Sequence, residues 1–169
     1  MAFSFNIEAA IDAIATLEGA ISTPTPGVTT AYGFGENPTE ITNPALLPAV
    51  VHISRGPQTV GGGDLLGAFT YGSYRLAYEI DSLLLILEIV QDQYPADEAA
   101  SAKFFDSVCD TFFNDTNISS LISSAGVDSY TCGFPRQPSY LPIQWPPYPS
   151  EPLHWYWGLR YTHRFVFDG

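Results

Sequence analysis

Apolar side chains recur at Ile7, Ile11, Ile14, Leu17 and Ile21, with spacings of four, three, three and four. That period marks one face of an amphipathic helix over residues 6–21. Asn6 stands where a cap belongs, Asp12 lies opposite the apolar face, and Glu8 and Glu18 flank it. The segment from Thr23 to Gly27, with two prolines, ends the helix. Val28–Tyr32 reads as a short strand, residues 33–44 as a loop rich in Gly, Asn and Pro, and Ala49–Ser54 as a second strand. From Arg55 to Gly72 the glycines at 56, 61, 62, 63, 67 and 72 predict a flexible loop, with the character of a hairpin tip.

Period-two alternation follows. Tyr74, Leu76, Tyr78 and Ile80 share one face, and Arg75, Ala77, Glu79 and Asp81 the other. The alternation is lost in the apolar run Leu83–Leu87, for which a helix is the rival, but continuity with a clear strand predicts a strand buried on both faces. A second helix is predicted over Pro95–Phe113, with Ala102, Phe105, Val108 or Cys109, and Phe112 as its core stripe. A short helical piece over Ile118–Ser123 and a strand over Val127–Phe134 come next. Seven prolines between Pro135 and Pro152 then predict an extended surface segment, its Leu141, Trp145 and Tyr148 packed against the domain. The final run alternates over its whole length, with Trp155, Trp157, Leu159, Tyr161, His163, Phe165 and Phe167 on one face. It predicts a strand of about thirteen residues, roughly 43 Å long.

These elements predict an α+β fold in a single domain over residues 1–169: a mixed sheet of about five strands, two main helices packed on it and a long C-terminal strand. The 169 residues suit one core, and 11 Phe, 10 Tyr and 3 Trp argue for a folded chain. Eighteen acidic residues against six basic ones give a net charge of −12. Six scattered cations make no basic patch for a run of phosphates and no polybasic membrane anchor, so neither nucleic-acid reading nor membrane binding is expected. The N-terminus lacks the pattern of a signal peptide, and assembly in a cytoplasm is expected. Cys109 and Cys132 read as reduced thiols in apolar company, with a disulfide between them as the alternative. Asn114 and Asn117 open glycosylation-type triplets that read as turn and capping chemistry.

Catalytic chemistry has little to stand on. His52, His154 and His163 are single and distant, with His163 on the aromatic face as a hydrogen-bonded core or interface residue. Glu79 and Asp81 share a strand face, as do glycosidase carboxylates, but read as solvated or ion-paired; Asp106 and Asp110 read as a solvated helix face. Gly61, Gly62, Gly63 and Asp64 form a Gly-rich stretch without the following Lys-Ser or Lys-Thr of a phosphate loop. No enzyme activity, cofactor, metal or catalytic residue is expected. Trp155 and Trp157 would be the platform of a carbohydrate-binding module, although they fall on the face of Leu159 and Phe165 and read as core. Arg160 and Arg164 project from the other face of the last strand, as Glu79 and Asp81 do from the central one. If the two strands are neighbours the charges pair within the sheet; if not, they are available to the next subunit.

The order helix, three strands, helix, two strands, with a loop between the second and third strands, resembles the tail terminator proteins of long-tailed bacteriophages. The local features that carry the resemblance are Val28–Tyr32 after Pro26-Gly27, Leu47–Val51, Tyr78–Asp81 and the closing run Tyr156–Phe167. The resemblance implies a virion protein of the tail and neck, assembled in the host cytoplasm. Copies would form a six-membered ring that caps the tail tube, ends tube growth and joins the tail to the head-completion or neck proteins. The expected partners are the chain itself, the tail tube protein and a neck protein. DNA would pass through an acidic lumen without specific binding. The loop residues Gly56, Gly61, Gly62, Gly63 and Asp64 are expected to dock partners, and Glu79, Asp81, Arg160 and Arg164 to lie at subunit contacts. A stopper or minor tail protein is the nearest alternative.

Overall fold

The computed structural model describes residues 5–59, 68–70, 73–89, 98–134, 142–147 and 154–168. The first helix, α1 (Ile7–Gly19), is capped by Asn6, whose side chain accepts from the Ala9 N–H at 3.0 Å. Its Ala10, Ile11 and Ile14 are buried. The described residues form seven strands: β1 (Thr30–Ala31), β2 (Ala49–Thr59), β3 (Ala68–Thr70), β4 (Ser73–Glu88), β5 (Ser129–Gly133), β6 (Pro142–Trp145) and β7 (His154–Asp168). They join one sheet in the order β1-β2-β4-β7-β5, with β3 paired to β4 and β6 to β7. The β1–β2 pair is parallel and the other pairs antiparallel, so the sheet is mixed. Two further helices, α2 (Glu98–Phe112) and α3 (Asp115–Ala125), complete an α+β architecture. Asn114 caps α3 by accepting from the N–H groups of Thr116 and Asn117, and Gly126 ends it in the left-handed conformation at φ 67°.

The helices cover one sheet face. Ile80 and Leu84 from β4, and Leu159, Tyr161 and Phe165 from β7, pack there against Ile14, Phe104, Val108, Phe112 and Leu121. A second, smaller core lies on the opposite face, where Leu83, Leu85, Val51 and Tyr156 meet Ile41, Leu47 and Trp145. Leu83, Leu84 and Leu85 therefore point alternately into two cores, which explains why the polar half of the alternation disappears. The second core is tied down by the Tyr156 hydroxyl, which donates to the Ile41 carbonyl at 2.8 Å, and by the Trp145 indole, which donates to the Pro38 carbonyl at 3.0 Å.

Several boundaries differ from the sequence expectation. Strand β2 continues through Arg55, Gly56 and Pro57 to Thr59, where a loop was expected, with a register shift between Ser54 and Gly56. Proline is tolerated there because β1 pairs only with Ala49 and Val50. Gly61, Gly62, Gly63 and Asp64 lie outside the described residues, as do the expected first residues of α2. In α2 the buried stripe is Phe104, Val108 and Phe112, at a spacing of four; Ala102 is exposed, and the half-buried Phe105 packs its ring 4.5 Å from that of Phe134. Within the Pro-rich segment, Pro142–Trp145 forms an edge strand with proline at its first position. The short Val28–Tyr32 strand contracts to two residues, and a 3₁₀ turn over Pro44–Leu46 was not anticipated. Neither tryptophan of β7 is core: Trp155 is 44 % exposed, and Trp157, opposite the exposed Leu87 of β4, is half-buried.

At Gly158 of β7 the backbone of β4 leaves no room for a side chain. A Cβ there would overlap the Leu84 carbonyl oxygen, backbone that cannot move without disturbing the ladder. Gly158→Ala should therefore destabilise the protein by about 1–3 kcal/mol in urea unfolding, the usual cost of overpacking.

Candidate functional site

Two polar centres sit back to back on the sheet. The first is sealed between α1 and the helix-side face. Glu18 of α1 is fully buried, and its Oε2 lies 2.7 Å from Nε2 of His52 on β2. The other ring nitrogen of His52, Nδ1, lies 2.7 Å from the Tyr32 carbonyl oxygen. A carbonyl and a carboxylate can only accept, so both nitrogens must donate and the ring fits this site as an imidazolium. Glu18 Oε1 accepts from the Tyr161 hydroxyl at 2.8 Å and lies 3.7 Å from His163 Nε2. His163 is also fully buried, but its partners are hydroxyls, Ser82 Oγ at 2.9 Å and Tyr130 at 2.6 Å, which satisfy a neutral ring.

These surroundings set the charges. Burial pushes the Glu18 carboxyl up, but the facing charge of His52 and the nearby imidazoles outweigh it and hold the group down at about 2. For His52, burial disfavours the cation, yet Glu18 and the Tyr32 carbonyl raise its pKa above the ordinary value. For His163 burial wins and lowers it. Burial likewise raises the Tyr130 and Tyr161 phenols and pushes the Cys132 thiol up to about 12. Cys132 and Cys109 are free thiols.

The second centre is Asp81 on the opposite face of β4. Its side chain is 1 % exposed, where the sequence suggested an exposed strand face. Oδ2 accepts from Arg55 Nε and from Arg160 at 2.6 Å each, and Oδ1 accepts from Thr162 at 2.7 Å. Glu79 stands opposite Arg164 across the β4–β7 ladder, with Oε1 4.0 Å from Nε. Since β4 and β7 are neighbours, all four sequence candidates, Glu79, Asp81, Arg160 and Arg164, meet on one patch and pair within the sheet. Gly56, the one docking-loop candidate among the described residues, lies opposite Glu79 in the register.

Elsewhere, His154 bridges Glu88 at 2.6 Å and Glu40 at 3.0 Å, and the Glu88 hydrogen bond raises its pKa. All three histidines are thus engaged by neighbouring side chains or backbone. Among the described residues, no three His, Cys, Asp or Glu side chains are gathered as a metal ion would require. No described helix is long and apolar enough to cross a membrane. No family model, no curated protein and no solved structure matches the chain.

Sequence reasoning placed His163 correctly as a hydrogen-bonded buried residue but missed Glu18, His52, Ser82, Tyr130 and Arg55. Glu18 had a signal: it stands four residues after Ile14 and seven after Ile11, within the apolar stripe. Arg55 had none, because it enters the patch through the irregularity in β2.

The buried pair gives a pH signature. Glu18 stabilises the fold fully above about pH 4.5, its ordinary pKa, and that contribution is lost as pH falls toward 2. His52, raised, stabilises below about 6.5 and loses its contribution as pH rises through its folded pKa. His163, lowered, acts oppositely: its contribution is present above about 6.5 and declines as pH falls. Glu18→Gln should cost about 3 kcal/mol near pH 5.5 in urea unfolding and remove most of the stability loss between pH 4.5 and 2. Asp81→Asn should cost less, about 1–3 kcal/mol, because the two arginines it releases can be rehydrated.

Proposed function

We propose that the chain is a structural virion subunit of the tail-terminator kind, forming a ring that caps the tail tube and joins the tail to neck proteins. The supporting observation is the architecture around β7. The last element of the chain runs beside β4 through the middle of the sheet, receives the helices on one face and places a charged patch on the other. Among the described residues, Glu18, His52 and His163 are sealed and Asp81 accepts from three side chains, which suits a protein that works by fitting against copies and neighbours. An acidic chain of −12 also suits a ring through which DNA passes without adhering.

Trp155 supports a second reading. Its exposure gives the flat aromatic surface of a carbohydrate-binding module, which would bind sugars as a monomer with a change in tryptophan fluorescence.

Native mass spectrometry and negative-stain microscopy separate the two. The terminator reading expects closed rings of six, alone or on the ends of tubes assembled from the accompanying tube protein. A protein that stays monomeric at all concentrations and leaves such tubes uncapped would overturn it.

A further inference from the structure

The chain's two cysteines stand on α2 and β5, and aromatic contacts bracket them from both ends. On α2, Phe105 and Cys109 are four residues apart and share one flank of the buried stripe formed by Phe104, Val108 and Phe112. The opposite flank carries Ser107, which donates to the Thr23 carbonyl at 2.7 Å on the α1 side, so the flank of Phe105 and Cys109 is turned toward β5. Cys132 of β5 and Phe134, just beyond the strand's end, both pack toward the helix-side core. The Phe105 and Phe134 rings lie 4.5 Å apart. Further along α2, Phe112 meets His163, the register partner of Cys132 on β7, with ring centroids 4.7 Å apart. Four residues of helix advance about 6.0 Å and two of strand about 6.6 Å, so the step from Phe105 to Cys109 keeps pace with the step from Phe134 to Cys132. Both thiols are free and half-buried, and a charge on Cys109 is felt at Cys132.

We propose that Cys109 and Cys132 are a redox-sensitive pair that closes into a disulfide between α2 and β5 when the folded protein meets a small-molecule disulfide. The thiolate of one cysteine attacks a sulfur of glutathione disulfide, forms a mixed disulfide and releases one glutathione thiolate. The thiolate of the other cysteine then attacks the protein sulfur of the mixed disulfide and releases the second glutathione. Two protein thiols are oxidised by two electrons, one glutathione disulfide is reduced to two glutathiones, and the two protons leave with the released thiols. Among the described residues β5 pairs only with β7, so this edge strand has one ladder to keep as it settles to the Cα separation of about 4–7 Å that a disulfide needs. The link encloses residues 110–131, α3 included, and restricts the unfolded chain. In a reducing compartment the pair stays open and in an oxidising one it closes. Burial pushes Cys132 up to about 12, and burial with Asp106 and Asp110 raises Cys109, so thiolate is scarce near neutral pH and closure is slow there. The inference is independent of the ring reading.

The test transfers the full chain, purified in reductant, into buffered glutathione disulfide, with circular dichroism showing that it stays folded. Intact mass without reductant should show a monomer lighter by two hydrogens that no longer takes up iodoacetamide. Peptic digestion should join the peptide containing Cys109 to that containing Cys132. The rate of closure should rise about tenfold from pH 7 to pH 8, following the thiolate fraction. The oxidised protein should melt several degrees above the reduced one, and dithiothreitol should reverse the shift. Cys109→Ser and Cys132→Ser should each stop at a mixed disulfide with glutathione; should either fail to fold, the wild-type mass and peptide map decide. Folded wild type that keeps two alkylatable thiols, carries two glutathiones, links only between chains or melts lower once linked would refute the pairing.

Discussion

The fold depends on a charge pair that has no access to water. Glu18 and His52 join the first helix to the second strand at 2.7 Å, in a space lined by aromatic and aliphatic side chains. Removing two charges from solvent costs several kcal/mol per ion, and their mutual attraction offsets that cost only when the remaining lone pairs and protons are also satisfied. Here they are. The Tyr161 hydroxyl takes the second carboxylate oxygen, and the Tyr32 carbonyl takes the second imidazole nitrogen. Because a hydrogen bond has direction and an apolar contact does not, this set fixes where α1 sits along the sheet in a way the isoleucine stripe alone would not.

That anchoring separates the two sides of the molecule. On the helix side, Ser82, Tyr130, Tyr161 and His163 line up across β4, β5 and β7 and finish the polar network within a core of Phe, Leu and Ile. On the other side the same strands present Asp81, Thr162, Arg160 and Arg164, because successive residues of a strand face opposite ways. One strand pair thus carries a sealed network on one face and a solvent-reaching arginine patch on the other. The groups of this network are closed to solvent while the sheet is intact.

The elements that could be read from the chain are those whose pattern is set by the local period. The stripe from Ile7 to Ile14, the alternation through Tyr78 and Ile80 and the long closing strand all appear where their spacing placed them. Tertiary context decided the rest. Arg55 to Thr59 contains a Gly-Pro pair and still forms strand, because β4 offers a long partner. Trp155 obeys the alternation of its strand yet is exposed, while Tyr156, on the nominally polar face, is fully buried under Ile41 and Trp145. Alternation says which residues share a face; it does not say which stretch of that face another segment will cover. The charge pairing at Asp81 could be framed only as a condition on strand order, and strand order is not a local property.

The buried network holds two histidines in opposite states: His52 charged between two acceptors, His163 neutral between two hydroxyls. Nitrogen-detected NMR of the imidazole rings near pH 7 reads this directly, since an imidazolium shows two protonated nitrogens and a neutral ring one. The expected spectrum has His52 protonated on both nitrogens and His163 on one. A neutral His52 at that pH, or a His163 that takes up a proton as an exposed imidazole would, would mean that the network does not hold these charges.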